Sequence, residues 1–255
     1  MVKVNLLDCT FVIPIYIDSP ERLSNLLFVV DYIKKHFRTH IIIVEYGKSP
    51  TKEIIELQEV QYVHFREKEE GIFPRTEVIN CGLKLCGTDI VSICDADCFV
   101  EPRAYVQAVS MLRGGMSISY PYNGDFKEVS RRVIKDGYIE EHPSYAKDSV
   151  GGICFLNRKD YENAGFENEN IISWGSEDAE RIVRMTILGH SGGRVTDACC
   201  WHITHPRGIN SGPSNPYTGK NTLEYQKVKN MNKSELLDYI KTWSWRNKNI
   251  DTADN

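Results

Sequence analysis

Long hydrophobic runs are missing from this chain of 255 residues: no apolar stretch approaches the roughly 20 residues of a membrane-spanning helix. The opening Met1-Val2-Lys3-Val4-Asn5 lacks the apolar core of a secretory leader. No long basic block occurs, and 31 Lys and Arg against 35 Asp and Glu leave a net charge of -4, so nucleic acid is not an expected partner. Cysteine is plentiful at eight, but zinc-site spacing is absent: Cys81 and Cys86 lie five apart, and Cys94 and Cys98 four. Several of these cysteines fall in apolar strand-like runs, where a free thiol behaves as a small hydrophobe. Together with the missing leader this points to a reducing cytosol. Internal repeats, low-complexity tracts and a clear interdomain linker are also lacking. An apolar fraction of 41% and a charged fraction of 26% then describe an ordinary soluble protein, one large α/β domain with or without a small appendage.

What is there begins with Cys9 to Ile17, a β-branched and aromatic run that predicts a strand. Ser19 as N-cap and Pro20 at the first helical position start a helix carrying Leu23, Leu26, Leu27, Val30 and Ile33 to about Phe37. His40 to Glu45 predicts the next strand, Thr51–Gln58 a helix and Gln61–Phe65 a strand. Strand-helix-strand-helix-strand with short links predicts a parallel, doubly wound sheet. Helices follow at Thr76–Leu85, Pro102–Leu112, Arg158–Ala164 and Glu177–Leu188, the last with Ile182, Val183, Met185, Ile187 and Leu188 as its apolar positions. Strands are expected at Ile90–Cys94, Ser117–Tyr122 and Gly151–Leu156. Asn123–Ser149 reads as a charged loop on the acceptor side, and Trp201–Asn221, rich in Pro, Gly and Asn, as a mobile loop. Leu223–Asn247 reads as one amphipathic helix or two.

Three groups carry chemistry. Asp95-Ala96-Asp97 follows a buried strand, and two carboxylates there are costly unless paired; at the carboxyl edge of an open α/β sheet they can share a divalent cation and a phosphate. The alternative for them is helix capping at a surface turn. Trp174-Gly175-Ser176-Glu177-Asp178 sets an acidic pair beside an aromatic that can pack on a sugar ring. Adjacent carboxylates at a helix start point apart, so one can bind an acceptor hydroxyl while the other takes its proton, although acidic residues also favour first turns in their own right. His202-Ile203-Thr204-His205 then offers imidazole ligands for an ion of the Mn²⁺ type.

Four stretches resemble the GT-A glycosyltransferases, nearest the branch of the β-1,4-galactosyltransferases and related bacterial family 2 enzymes. They are Val12-Ile13-Pro14-Ile15-Tyr16 with Arg22; Phe73-Pro74-Arg75 through Asn80-Cys81-Gly82; Asp95-Ala96-Asp97; and Gly151-Gly152 through Trp174-Gly175-Ser176-Glu177-Asp178. The likeness runs from Phe11 to about Arg207. Family members usually have Gly where this chain has Ser176, and some have His-x-His where this chain has His-x-x-His, which leaves open which histidine binds metal. The resemblance implies a Rossmann-like α/β fold of the nucleotide-diphospho-sugar transferase type: a mostly parallel central sheet flanked by helices, with a C-terminal helical extension. It divides the chain into a catalytic domain at 1–221, with a nucleotide-sugar half to about 100 and an acceptor half beyond, and an extension at 222–255. It places Pro14, Tyr16 and Arg22 around the nucleotide, Glu45 at the base or ribose, Arg75 at the diphosphate, Asp95 at ribose or donor sugar, and Gly152 on the donor side. Trp174, Gly175 and Glu177 would hold sugars, Asp178 would be the general base, and Asp97 with His202 or His205 would bind Mn²⁺ or Mg²⁺.

The implied reaction is metal-dependent, inverting transfer of a hexose or N-acetylhexosamine, galactose or N-acetylgalactosamine foremost, from a UDP-sugar to a saccharide or lipid-linked saccharide. The expected setting is cytoplasmic synthesis of a bacterial surface polysaccharide. A nucleotidyltransferase would need a Gly-rich basic loop where Asp18-Ser19-Pro20-Glu21-Arg22 stands, and the Glu177-Asp178 pair disfavours a retaining enzyme. A non-catalytic sugar-nucleotide or carbohydrate-binding subunit of the same fold is the standing alternative. In the C-terminal segment Leu236, Leu237, Tyr239, Ile240, Trp243 and Trp245 form an apolar face among Lys233, Lys241, Arg246 and Lys248, which could lie on the inner face of a membrane, pack on the domain or form a dimer.

Overall fold

The computed structural model describes residues 2–130 and 144–247. β1 (Val4–Tyr16) leads into α1 (Pro20–His36), where the Ser19 side chain accepts from the Arg22 backbone and Pro20 sits at the helix start. Leu26, Val29, Val30 and Ile33 are buried at helical spacing, laying one stripe of α1 on the sheet. β2 (Phe37–Gly47), α2 (Lys52–Ile55), β3 (Gln61–Arg66), α3 (Arg75–Leu85) and β4 (Ile90–Cys94) follow. The helix expected over Thr51–Gln58 is thus a single turn; Glu59 takes a left-handed φ of 59° and redirects the chain into β3. Next come β5 (Cys98–Phe99), α4 (Pro102–Arg113), β6 (Ile118–Tyr120), β7 (Phe126–Val129), β8 (Ser144–Ala146), β9 (Ile153–Asn157) and α5 (Arg158–Asn163). α6 (Glu177–Leu188), β10 (Gly192–Arg194), β11 (Cys200–Ile203), α7 (Thr218–Lys229) and α8 (Lys233–Lys241) complete the elements used below.

The main sheet has the order β10-β6-β9-β4-β1-β2-β3. β3, β2, β1 and β4 are mutually parallel, with Val12 opposite both Ile42 and Ile93. β9 is the exception, running antiparallel between β4 and β6. Helices cover both faces, so the run from Cys9 to Ile15 is buried without alternation. A second sheet, β5-β11-β7-β8, stands beside the carboxyl end of β4.

Three expectations are revised. The charged loop expected over Asn123–Ser149 contains β7 and β8, and its residues 131–143 lie outside the described ones. Trp201–Asn221 is not one loop: β11 takes its start, a 3-10 turn forms at Ile209–Ser211, and α7 begins at Thr218, so the expected domain boundary after Asn221 falls inside a helix. In α6 Met185 and Leu188 are buried, but Ile182, Val183 and Ile187 are only partly so; the rest of the buried face is Glu177, Glu180, Arg181 and Arg184.

The C-terminal apolar face packs inward. Leu236, Ile240, Trp243 and Trp245 join the main core, and Arg184 lies between the rings of Tyr161 and Trp243, 5.5 and 5.3 Å from their centroids. That leaves Leu237 as the exposed member of the face, and Lys248 lies outside the described residues. Among the described residues no helix is long and apolar enough to cross a membrane.

Candidate active site

Two motifs far apart in sequence meet through strand register. After β4 the chain turns through Asp95-Ala96-Asp97, with Asp95 N donating to Gly152 O at 2.7 Å and Cys98 N to Asp95 O at 3.2 Å. β5 then pairs antiparallel with β11, setting Cys98 opposite His202, and Ile203 N donates to Asp97 O at 2.7 Å. His202 Nε2 therefore lies 3.7 Å from Asp97 Oδ1, and His205 Nε2 lies 3.1 Å from Asp97 Oδ2. Ligand atoms of all three residues fall within 4.8 Å of one another, one carboxylate and two imidazoles. The His205 Nδ1 lies 2.8 Å from Pro206 O, a contact that fixes the ring with Nε2 toward Asp97. Arg22 Nη1 stands 3.6 Å from Asp97 Oδ2. Burial alone would raise the Asp97 carboxyl, but His202, His205 and Arg22 outweigh it and hold it well below the usual carboxylate range. For His205 burial works downward, and the Asp97 carboxylate overrides it to raise the imidazole.

The opposite wall is the start of α6. Its approach is contorted: Ser173, Gly175 and Ser176 have φ of 60°, 105° and 71°. This turn lets Gly175 N donate to Glu177 Oε2 at 2.8 Å and aims Glu177 and Asp178 at the cavity. Burial and the adjacent Asp178 push the Glu177 carboxyl up to about 7. Arg75, at the start of α3, spans the two acidic motifs: its Nη2 donates to Asp95 Oδ1 at 2.5 Å, while Nη1 stands 3.6 Å from Glu177 Oε1 and 3.8 Å from Asp178 Oδ1. Nη1 has no hydrogen-bond partner. Burial raises the Asp95 carboxyl, Arg75 opposes this, and the nearby Asp97 and Asp178 add to the rise.

These walls enclose a cavity of about 360 Å³ at the carboxyl edge of the parallel strands. Pro14, Tyr16, Arg22, Arg75, Asp95, Asp97, Gly152, Trp174, Glu177, Asp178, His202 and His205 all line it. Tyr16 stacks on Phe73 with ring centroids 6.0 Å apart and planes 16° from parallel, forming a flat apolar end. Two expected residues are not brought in. Glu45 is buried at the end of β2 with its carboxylate accepting from Thr51 N (3.0 Å), the Thr51 hydroxyl and Tyr62 Oη (2.6 Å), so it is spent on holding the turn before α2. Gly175 contributes backbone to Glu177 and does not line the cavity.

The sequence reading missed Asn210. Its side chain accepts from Phe73 N (3.0 Å) and Ser173 Oγ (2.7 Å) and donates to Gly71 O (2.8 Å), while Arg22 Nη2 donates to Ser211 Oγ at 2.7 Å. The 209–211 turn is thereby strapped across the cavity's rim, and the only sequence signal for it was the polar composition of the segment. A larger hollow, about 1060 Å³, opens at the amino ends of the strands among Thr10, Arg38, His40 and Gln61. Neither of the ligand clusters found among the described residues lies there, so chemistry rather than size selects the carboxyl-edge cavity.

No family model matches this chain, and no curated protein matches its sequence. Solved structures do match. The catalytic domain of Drosophila beta1,4-galactosyltransferase 7 in complex with xylobiose is similar over 79% of this chain and 71% of its own, at 16% identity and a TM-score of 0.51. A mutant of that Drosophila protein in complex with manganese, UDP-Gal and xylobiose matches 77% of this chain and 71% of its own, again at 16% identity and 0.51. GalNAc-T7 with UDP, GalNAc and Mn²⁺ matches 87% of this chain at 16% identity and a TM-score of 0.61; this chain spans 48% of its length. At such identities the likeness establishes the fold: the chain has the GT-A architecture of these glycosyltransferase domains.

Proposed function

We propose that this GT-A chain is a metal-dependent, inverting glycosyltransferase that moves a hexose or N-acetylhexosamine from a UDP-sugar to a saccharide hydroxyl. One observation carries the reading: a carboxylate-imidazole ligand set and an acidic pair face each other across one cavity, with Arg75 between them. The donor set of Asp97, His202 and His205 suits Mn²⁺ better than Mg²⁺, because imidazole favours a transition ion. When bound there, such an ion neutralises charge on a departing diphosphate.

The residues themselves divide the remaining work. Tyr16 and Phe73 offer a flat surface for the base, and Arg75, paired with Asp95 on the cavity wall, places a cation on the side of the diphosphate. Trp174 gives the acceptor ring an apolar face, and Glu177, protonated up to about pH 7, can donate to an acceptor oxygen. Asp178 takes the proton of the attacking hydroxyl as that oxygen bonds to the anomeric carbon. The bond from that carbon to the diphosphate breaks, and UDP leaves with the electron pair. Galactose and N-acetylgalactosamine are the donors we favour, as those are the sugars present with UDP in the similar structures. The setting we propose is synthesis of a bacterial surface polysaccharide on a free or lipid-linked acceptor.

Calorimetry with UDP, UDP-galactose, UDP-N-acetylgalactosamine, UDP-glucose and GDP-mannose, each with Mn²⁺ and with EDTA, tests the reading. Metal-dependent binding of a UDP-sugar, followed by UDP release with a saccharide panel, is the expected result. Binding of no nucleotide by the folded chain would overturn it, and binding without any release would favour a non-catalytic sugar-nucleotide-binding subunit.

A further inference from the structure

Below Asp178 lies a buried cation that the reaction as written leaves without a role. Arg181 is 1% exposed, one turn along α6 on the same face. Its Nε donates to Glu167 Oε1 at 2.8 Å and contacts Tyr161 Oη at 3.3 Å, while its Nη1 donates to Asp178 Oδ1 at 2.8 Å. Tyr161 in turn donates to the same Glu167 oxygen at 2.7 Å, and the Glu167 backbone N donates to Asn80 Oδ1 at 2.8 Å. One edge of the guanidinium is thus held by groups from α5 and the segment after it, and the other edge reaches the candidate base. Arg75 Nη1 approaches the same Oδ1, at 3.8 Å. Both cations therefore sit on one carboxylate oxygen.

The other oxygen, Oδ2, is the one left for substrate. It lies 2.7 Å from where a Cβ on residue 151 would stand, and Gly151 lines the cavity. A side chain at 151 would occupy the space Oδ2 needs, so the glycine and the arginine define the carboxylate's orientation from two sides. We propose that Arg181, braced by Glu167 and Tyr161, is a positioning residue: it fixes the Asp178 carboxylate through Oδ1 and leaves Oδ2 as the oxygen that takes the acceptor proton. The inference rests on the glycosyl-transfer reading above. A planar, charge-assisted contact sets the direction of the accepting lone pair, and a carboxylate free to turn would spend most of its time out of line.

A purely structural Arg181 would serve only to balance Glu167, so the test must separate orientation from folding. Arg181→Lys keeps a cation beside Glu167 but lacks the fork that reaches both partners. UDP release from UDP-galactose and UDP-N-acetylgalactosamine with Mn²⁺ and a saccharide panel is followed in the full chain, resolving kcat from KM. We expect kcat to fall by up to about 100-fold with the donor KM within about twofold, as for a misplaced catalytic group. In an Asp178→Asn background the same change should cost less than about twofold more, because the arginine acts through that carboxylate. A kcat close to wild type, or a full additional loss in the Asp178→Asn background, overturns the inference. Should Arg181→Lys fail to fold, Tyr161→Phe keeps every charge and removes one brace; a lower kcat at constant KM supports the proposal, and unchanged kcat overturns it. If the unmodified chain turns over no UDP-sugar, the glycosyl-transfer reading falls and takes this inference with it. If Asp178→Asn lowers kcat by about 1000-fold and neither positioning variant has an effect, only the inference falls.

Discussion

Asp97 and Glu177 are both acidic, are 7% and 6% exposed, and face one cavity, yet their carboxyls are driven in opposite directions. Burial raises both. At Asp97 two imidazoles and Arg22 more than cancel it; at Glu177 the neighbouring Asp178 adds to it and Arg75, 3.6 Å away, cancels only part. Residue type and depth therefore do not assign the roles. The company does: the two imidazoles and Arg22 around Asp97 keep its carboxylate ionised, and burial with a like charge beside Glu177 keeps a proton on the carboxyl near neutral pH. The two walls should then fail separately when each is damaged.

The sharpest separation comes from Asp178→Asn. It should lower kcat by about 1000-fold, within the range of general-base catalysis, while calorimetry shows unchanged Mn²⁺-dependent UDP binding. Loss of UDP binding together with kcat would make the two walls one functional unit. The converse damage is His205→Ala, which takes one ligand from the other wall. Mn²⁺ and UDP affinity should weaken by at least about 10-fold. Unaltered Mn²⁺ binding would move the metal away from the paired histidines.

The contrast in titration gives a pH signature of its own. The Glu177 carboxyl is raised from its ordinary 4.5 to about 7, so between those values the folded state binds more proton than the unfolded chain and stability falls as pH rises. Glu177→Gln mimics the protonated form and should remove that slope. In EDTA the variant should be more stable than wild type by about 1–3 kcal/mol at pH 8 and no different at pH 4, read as denaturant midpoints. A variant that is destabilised equally at both values would mean that the Glu177 carboxyl is not raised in the folded chain.

Much of the first half was legible because its elements obey simple patterns. α1 announces itself through Ser19, Pro20 and a helical stripe of apolar residues, and β1 through an unbroken apolar run. The pairing of Asp97 with the histidines was expected only through the family resemblance, since the antiparallel register of β5 on β11 that joins them leaves no local mark. α6 was misread on one side because hydropathy registers apolar residues alone, whereas Glu180, Arg181 and Arg184 share its buried face with Met185 and Leu188, Arg184 pairing with Glu180 and Ala164 O and Arg181 with Glu167. Glu45 shows a related failure: its place at a strand end was correct, but its carboxylate is spent on Thr51 and Tyr62 rather than on a ligand.

The smallest predicted effect concerns the contortion that aims the acidic wall. Ser176 adopts φ 71° and ψ -11° at the N-cap of α6, and its side chain makes no capping hydrogen bond. A residue with a Cβ is disfavoured in that left-handed region, and nothing in the cap offsets the cost. Ser176→Gly should therefore relieve about 1 kcal/mol of strain, diminished by the greater freedom glycine gives the unfolded chain. A rise in melting temperature of about 1–3 °C is expected for a chain of this length, with kcat within about twofold. The metal wall supplies the control, because its turn contains no positive φ at Asp95, Ala96 or Asp97 and should gain nothing from glycine. If Ser176→Gly instead lowers kcat at constant UDP affinity, the serine takes part in seating the acceptor, and the strain at the acidic wall is tied to that contact rather than to the turn alone.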